Sequence, residues 1–258
     1  MKNEQRGNLG MKLKYALGLF CAAGALLGSD VAQAVEPGKW YVRAGAGYVF
    51  PDNTTLSASG TTPGIRFNRV KLKGGFHGEL ALGRHLMGSI NRTIVVRSEL
   101  MFGYQYRKLS DGFVTENNAA GAQVAQKVGV ESKVQSFIGM ANLYFDLIEW
   151  YRFVPYVGFG AGISGNKVNG INFTNATVNN ALQNFNISGR TETKLAWQLT
   201  AGTGYRFTQN LTGDLYWRYM NLGKIKTSNV TTPAGLGVGT LAGNLNSHSV
   251  MAGLRYAF

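Results

Sequence analysis

Leu195-Ala196-Trp197-Gln198-Leu199-Thr200-Ala201-Gly202-Thr203-Gly204-Tyr205-Arg206-Phe207 reads with a period of two. Leu195, Trp197, Leu199, Ala201, Tyr205 and Phe207 fall at odd positions. Lys194, Gln198, Thr200, Gly202, Gly204 and Arg206 fall at even ones. A strand turns successive side chains to opposite faces, so this segment has one apolar face and one that is polar or small. An amphipathic helix would repeat every 3.6 residues instead.

Seven more segments share the pattern. Residues 39–50 set Trp40, Val42, Ala44, Ala46, Tyr48 and Phe50 against Tyr41, Arg43, Gly45 and Gly47. Residues 73–83 set Phe76, Leu80 and Leu82 against His77 and Glu79, and residues 92–107 set Val96, Leu100, Phe102 and Tyr104 against Arg97, Glu99 and Gly103. In residues 132–146, Phe137, Ala141, Leu143 and Phe145 share a face, but Ile138 and Met140 blur the other. Residues 152–163 oppose Phe153, Val157, Phe159 and Ala161 to Gly158, Gly160 and Gly162. Residues 211–222 and 247–258 oppose Leu215, Trp217, Tyr219, Val250, Leu254 and Tyr256 to Asp214, Arg218, Ser249 and Arg255.

The connections alternate in length. Residues 84–91, 147–151 and 208–210 are short links, whereas 51–72, 108–131, 164–192 and 223–246 are long and rich in Asn, Thr, Gly and Ser. An even number of strands, with long loops at one end and tight turns at the other, predicts an all-β fold. It is an eight-stranded antiparallel up-and-down transmembrane β-barrel with four long extracellular loops and short periplasmic turns. About 10 residues per tilted strand suffice to cross the apolar layer. A soluble lipocalin-type barrel would turn the apolar face inward, leaving glycines and scattered charges as its solvated surface. An eight-stranded barrel has room inside only for side chains, which suits inward glycines beside a few Arg and Glu.

The composition agrees. Among 258 residues there are 35 Gly, 45% hydrophobic and only 15% charged residues. Mean hydropathy is −0.08, too apolar for a disordered chain and too polar for a helical membrane protein. Lys12 and Lys14 precede an apolar stretch from Tyr15 to Gly28 that closes on Ala32-Gln33-Ala34. Residues 1–34 thus read as a cleaved signal peptide, with residues 35–258 as the outer-membrane barrel domain. The stretch is short of the ~20 apolar residues a spanning helix needs. Cleavage removes Cys21, the single cysteine, and with it any disulfide framework or thiolate zinc site.

Residues 38–258 resemble the opacity-type outer-membrane β-barrel family of Gram-negative surface antigens. The resemblance rests on Trp40-Tyr41-Val42-Arg43-Ala44-Gly45-Ala46-Gly47-Tyr48, on Met140-Ala141-Asn142-Leu143-Tyr144-Phe145-Asp146 and on Pro155-Tyr156-Val157-Gly158-Phe159-Gly160-Ala161-Gly162. It rests also on Asp214-Leu215-Tyr216-Trp217-Arg218-Tyr219 and on the end from Ser249 to Phe258. It implies residence in the bacterial outer membrane and exposure at the cell surface, without implying one activity. Leu254, Tyr256 and Phe258 also resemble the C-terminal signal read by the outer-membrane assembly machinery.

Parity places Arg43, Glu79, Arg97, Glu99, Lys194, Arg206, Asp214, Arg218 and Arg255 in the lumen. Buried charges are costly alone, so these are expected to pair into a plugging network, with Asp214 serving Arg206 and Arg255. The alternative is a narrow porin or small-molecule carrier, which the excess of basic residues would bias toward anions. Arg66, Arg69 and Lys71 in the first long loop, and Lys224 and Lys226 in the fourth, are expected to form one cationic patch. Its partners would be lipopolysaccharide phosphates or host-surface polyanions.

Other chemistry is weak. His77, His85 and His248 lie on different segments without ligand spacing, with His85 expected in a periplasmic turn, so no metal or cofactor is expected. His248-Ser249 would suit a lipid-modifying barrel enzyme, yet neighbours on a strand diverge. Gly158, Gly160 and Gly162 stand inside a strand with no helix after them, unlike a nucleotide loop. The basic balance comes with no nucleic-acid recognition fold. The expected function is therefore a non-enzymatic surface antigen or adhesin acting through its loops.

Overall fold

The computed structural model describes residues 38–258 apart from 55–56, 60–65, 69, 91–93, 118–122, 179–180, 188, 227–229 and 232–236. The expected signal peptide lies outside the described residues. Eight strands build the barrel: β1 (Trp40–Val49), β2 (Gly75–Ile90), β3 (Ile94–Asn117), β4 (Gln123–Asp146), β5 (Phe153–Val168), β6 (Arg190–Arg206), β7 (Leu211–Lys226) and β8 (Gly237–Ala257). Each pairs antiparallel with its neighbour in the chain, and β1 closes the ring on β8 from Tyr41↔Ala257 to Val49↔Ser249. Closure leaves no sheet edge along the barrel. Phe258 seals the seam, its N–H donating to the Trp40 carbonyl at 2.9 Å, while the Ala257 N–H donates to the Asn210 carbonyl on the β7 side at 2.8 Å.

The alternation read from the sequence sets the two faces. Leu195, Leu100, Leu80 and Phe102 are 60–83% exposed on the outside, while Arg97, Glu99 and Arg218 are at most 2% exposed within. Inward glycines make room for inward rings. A Cβ on Gly45 would stand 2.6 Å from the Tyr216 hydroxyl, and one on Gly158 or Gly160 would overlap Tyr144 or Asn142. The Gly158-Gly160-Gly162 run is thus a packing device.

Most strands run further toward the long-loop end than the sequence reading, β8 starting at Gly237 rather than at 247. β2 continues to Ile90, so residues 84–90 are strand and His85 sits in the barrel wall, buried, rather than in a turn. β3 and β4 form one ladder out to Asn117↔Gln123, so most of the second expected long loop, residues 108–131, is strand. Alternation gave out there because both faces leave the apolar layer and need not differ. Short strands also continue the sheet at the long-loop end. Arg66–Asn68 and Val70–Leu72 pair with β3, and Ile171–Val178 pairs with β4 at Gly129–Glu131. Ser57–Ser59 pairs with β8 at Thr240–Ala242, which joins the first long loop to the fourth.

The turns are tight. Trp150 and Phe153 exchange both backbone hydrogen bonds across Tyr151-Arg152, with Tyr151 at φ 55°, an uncommon setting for a bulky residue. After β6, the Thr208 hydroxyl accepts from the N–H groups of Asn210 and Leu211. Aromatic side chains collect here: Trp150, Tyr151, Phe207, Tyr256 and Phe258 are all exposed, as membrane-interface anchors are.

Candidate functional site: the lumen and the long-loop end

The lumen holds two charge-balanced quartets. The first lies midway along the barrel. Arg43 donates to both oxygens of Glu99, from Nε at 3.0 Å and from Nη2 at 2.6 Å, and reaches Glu79 with Nη1. Arg218 holds Glu79 from the other side and donates through Nε to the Thr200 hydroxyl at 3.3 Å. Tyr216 donates to Glu79 Oε1 at 2.6 Å and accepts from Arg43. Around Glu99, the hydroxyl of Tyr41 and the amide of Asn142 complete the shell at 3.2 and 3.3 Å, and Gln198 secures Asn142 at 2.7 Å. Two guanidinium groups and two carboxylates thus meet with every charge opposed, the condition under which buried ions are tolerated.

The second quartet lies toward the short turns. Arg97 grips Asp146 with two parallel bonds, Nε to Oδ2 at 2.7 Å and Nη2 to Oδ1 at 2.8 Å, a fork geometry that only Arg supplies. Its guanidinium also lies 4.9–5.5 Å from the ring centres of Tyr41, Tyr144 and Tyr156. Arg255 donates to Asp214 at 3.0 Å and comes within 3.9 Å of Asp146.

The long-loop half is filled differently. Val49, Leu72, Leu109, Val134, Ile138, Val168, Met220, Leu222 and Leu245 are all buried there. Its polar members are mostly neutral: Ser164 and Asn166 both donate to the Leu222 carbonyl, at 2.8 and 2.9 Å. Among the described residues a buried cation of this half, Arg107, donates to the carbonyls of Asn246 and Phe50.

Seven of the nine lumen charges expected from parity stand in the two quartets; Lys194 and Arg206 do not. Lys194 pairs with Glu192 at 3.3 Å near the long-loop end, with its side chain one-third exposed. Arg206 pairs with Glu149 of the β4–β5 turn at 2.8 Å, whereas Asp214 accepts from Arg255. Acids on a turn are invisible to strand parity. Asp146 was missed although it continues the inward parity of Asn142 and Tyr144, and the part that inward tyrosines such as Tyr41 play in the network was missed because hydropathy does not mark their hydroxyls.

His77 is fully buried with Nε2 3.3 Å from Glu79, and His85 Nδ1 lies 3.2 Å from the Lys39 carbonyl. His248 lies outside against Trp217 and Tyr219 while Ser249 is buried, so the two side chains diverge. Leu254, Tyr256 and Phe258 are exposed on the outer face. Of the loop cations, Lys224 and Lys226 are exposed on β7, Arg66 and Lys71 belong to short strands on β3, and Arg69 lies outside the described residues.

The chain resembles known proteins in sequence and in fold. A family model described as outer membrane protein beta-barrel domain matches residues 19–258. A candidate adhesin of Rickettsia conorii is 22% identical over 230 residues, covering 88% of this chain and 85% of the relative. Outer membrane protein PagN of Salmonella typhimurium is 26% identical over 191 residues, covering 70% of this chain and 71% of PagN. The outer membrane protease OmpT of Escherichia coli, at 10% identity and a TM-score of 0.50 over 89% of this chain and all of OmpT, is alike in fold.

Proposed function

The chain belongs to the outer membrane protein beta-barrel domain family, and from that premise we propose that it is a non-enzymatic surface protein, an adhesin-like antigen working through its long extracellular loops. The observation that carries this reading is the filled lumen. Two interlocked quartets and an apolar layer above them occupy the space through which a porin or carrier would pass its substrate. The long-loop end, by contrast, is extended far along β3 and β4 and organised by short strands. The adhesin name of the rickettsial relative supports the adhesive part of this reading, and the name of PagN supports its place in the outer membrane.

The partner chemistry we infer is anionic. The ladder between Ser57–Ser59 and Thr240–Ala242 joins the first loop to the fourth, which supports a shared basic surface drawn from Arg66, Arg69, Lys71, Lys224 and Lys226. Lipopolysaccharide phosphates and sulfated host glycans are the polyanions within reach. Leu254, Tyr256 and Phe258 serve the assembly machinery on the way to the membrane.

Loop-shortened variants with intact barrels test the reading. At least one is expected to lose binding to host cells, while the wild type shows no conductance in planar bilayers. Discrete conductance steps, or host-cell binding indifferent to all four loops, would overturn it. For the partner, changing the five basic residues to Gln is expected to abolish heparin binding. Wild-type binding should weaken as salt shortens the screening length from about 10 Å at 0.1 M to about 3 Å at 1 M. Salt-insensitive binding unchanged in the Gln variant would exclude an anionic partner for this patch.

A further inference from the structure

The sheet at the long-loop end stops, among the described residues, at strands with one open side. Asp52–Thr54 and Val230–Thr231 are three and two residues long, and edges that short offer little to pair with. Ala181–Ile187 has seven residues, pairs with Ile171–Val178 and ends the sheet. Proteins usually guard such an edge with Lys or Pro, because its free N–H and C=O groups are a template for another strand. Ala181-Leu182-Gln183-Asn184-Phe185-Asn186-Ile187 contains neither, and no charged residue occurs from Val168 to Gly189.

The segment also pairs with its own kind. Within the hairpin Ile171 stands opposite Ile187, Asn172 opposite Asn186 and Phe173 opposite Phe185, so Ile-Asn-Phe meets its reverse, Phe-Asn-Ile. We propose that the open edge of Ala181–Ile187 pairs antiparallel with the same edge of a second copy of this chain held in a facing membrane. The proposal rests on the reading that the long loops do the binding.

Symmetry selects the facing membrane. Ile171–Val178 is laddered antiparallel onto β4 through Asn172↔Glu131 and Thr174↔Gly129, so the hairpin continues the direction of the barrel strands. Two identical strands pair antiparallel only across a two-fold axis perpendicular to them. That axis turns the long-loop end of one barrel toward that of the other. A two-fold axis along the strands, as within one membrane, would give parallel pairing, which is slightly less stable per residue.

Charge selects a second copy as the occupant. The first and fourth loops are basic, so two copies repel wherever those loops meet. The uncharged tract lets them approach without that cost. A register centred on Asn184 sets Asn184 opposite its counterpart and Ala181 opposite Ile187.

The test uses vesicles of neutral lipid carrying the full-length protein, with clustering followed by turbidity. Wild-type vesicles are expected to cluster. Asn184→Lys alone and Asn184→Asp alone set like charges opposite each other. Each should slow the turbidity rise by about tenfold or more, since many weakened contacts multiply between two vesicles. Mixing Asn184→Lys vesicles with Asn184→Asp vesicles should restore clustering, and folded electrophoretic mobility of both variants excludes a folding defect. Clustering unaffected by either charge, or no rescue on mixing, would overturn the proposal. Wild-type vesicles that bind host cells but never cluster would overturn it while leaving the adhesive reading in place.

Discussion

The two halves of the lumen solve one packing problem with opposite chemistry. From the middle of the barrel to the short turns, Arg43, Arg218, Arg97 and Arg255 are set against Glu79, Glu99, Asp146 and Asp214, and the Tyr41 hydroxyl joins the two quartets, donating to Glu99 and accepting from Arg97. Toward the long loops the same cross-section is filled by Leu, Val, Ile and Met with a few neutral hydrogen bonds. The charged half depends on every partner being present, because a lone buried ion carries its whole desolvation cost. The apolar half depends on volume and tolerates exchange of similar size. The charged half is therefore where a single substitution does most damage.

Glu79 is the severest point. It is held by both Arg43 and Arg218, and Glu79→Ala leaves two guanidinium groups facing each other. The expected loss is about 3–5 kcal/mol, read from urea unfolding in liposomes. A loss no greater than that of an ordinary surface substitution would mean that water enters this half. Asp146 and Asp214 come next and should not be equal. Asp146 is gripped twice by Arg97 and lies near Arg255, while Asp214 accepts one bond from Arg255. Asp146→Ala is expected to cost about 2–4 kcal/mol and Asp214→Ala about 1–2 kcal/mol less than that. The reverse order would make Arg255, rather than Arg97, the ion that its quartet is built to neutralise.

The charged half was legible in the sequence because a charge inside a period-two segment declares its face. Arg43, Glu79, Glu99 and Arg218 could be placed by parity alone. The apolar half was not, since Ile138, Met140, Met220 and Leu222 fill the lumen with residues that hydropathy assigns to lipid. Pairings between distant strands were out of reach for a different reason. Arg206 finds Glu149 on a neighbouring turn, and no strand period extends into a turn. The barrel itself was clear, because closure needs only the count, the alternation and the loop lengths.

Arg107 probes the apolar half from within. It is almost wholly buried, its two terminal nitrogens donate to carbonyls, its Nε has no partner and no carboxylate is in hydrogen-bond contact among the described residues. A long apolar side chain of similar volume removes an ion whose desolvation is only partly offset. Arg107→Met is accordingly expected to change stability by no more than about 1.5 kcal/mol in either direction. A loss approaching that of Glu79→Ala would show that this half, too, is held by charge, and would erase the contrast.

The smallest expected effect lies outside both halves, at Glu149 in the β4–β5 turn. Burial pushes its carboxyl above the usual carboxylate range, and the Arg206 guanidinium at 2.8 Å only partly opposes this. The folded state therefore holds the proton more tightly than the unfolded chain. The stability that the protonated group contributes is present at low pH and is lost as pH rises through the carboxylate range. Glu149→Gln removes that dependence. The variant should match the wild type below the carboxylate range and be the more stable of the two at neutral pH. The margin is under about 1 kcal/mol, because the pair is partly exposed and screened. Paired urea titrations across that pH range check it. A wild type more stable than the Gln variant at neutral pH would mean that the Arg206 contact outweighs burial, and that charge pairing stabilises the turn as it does the quartets.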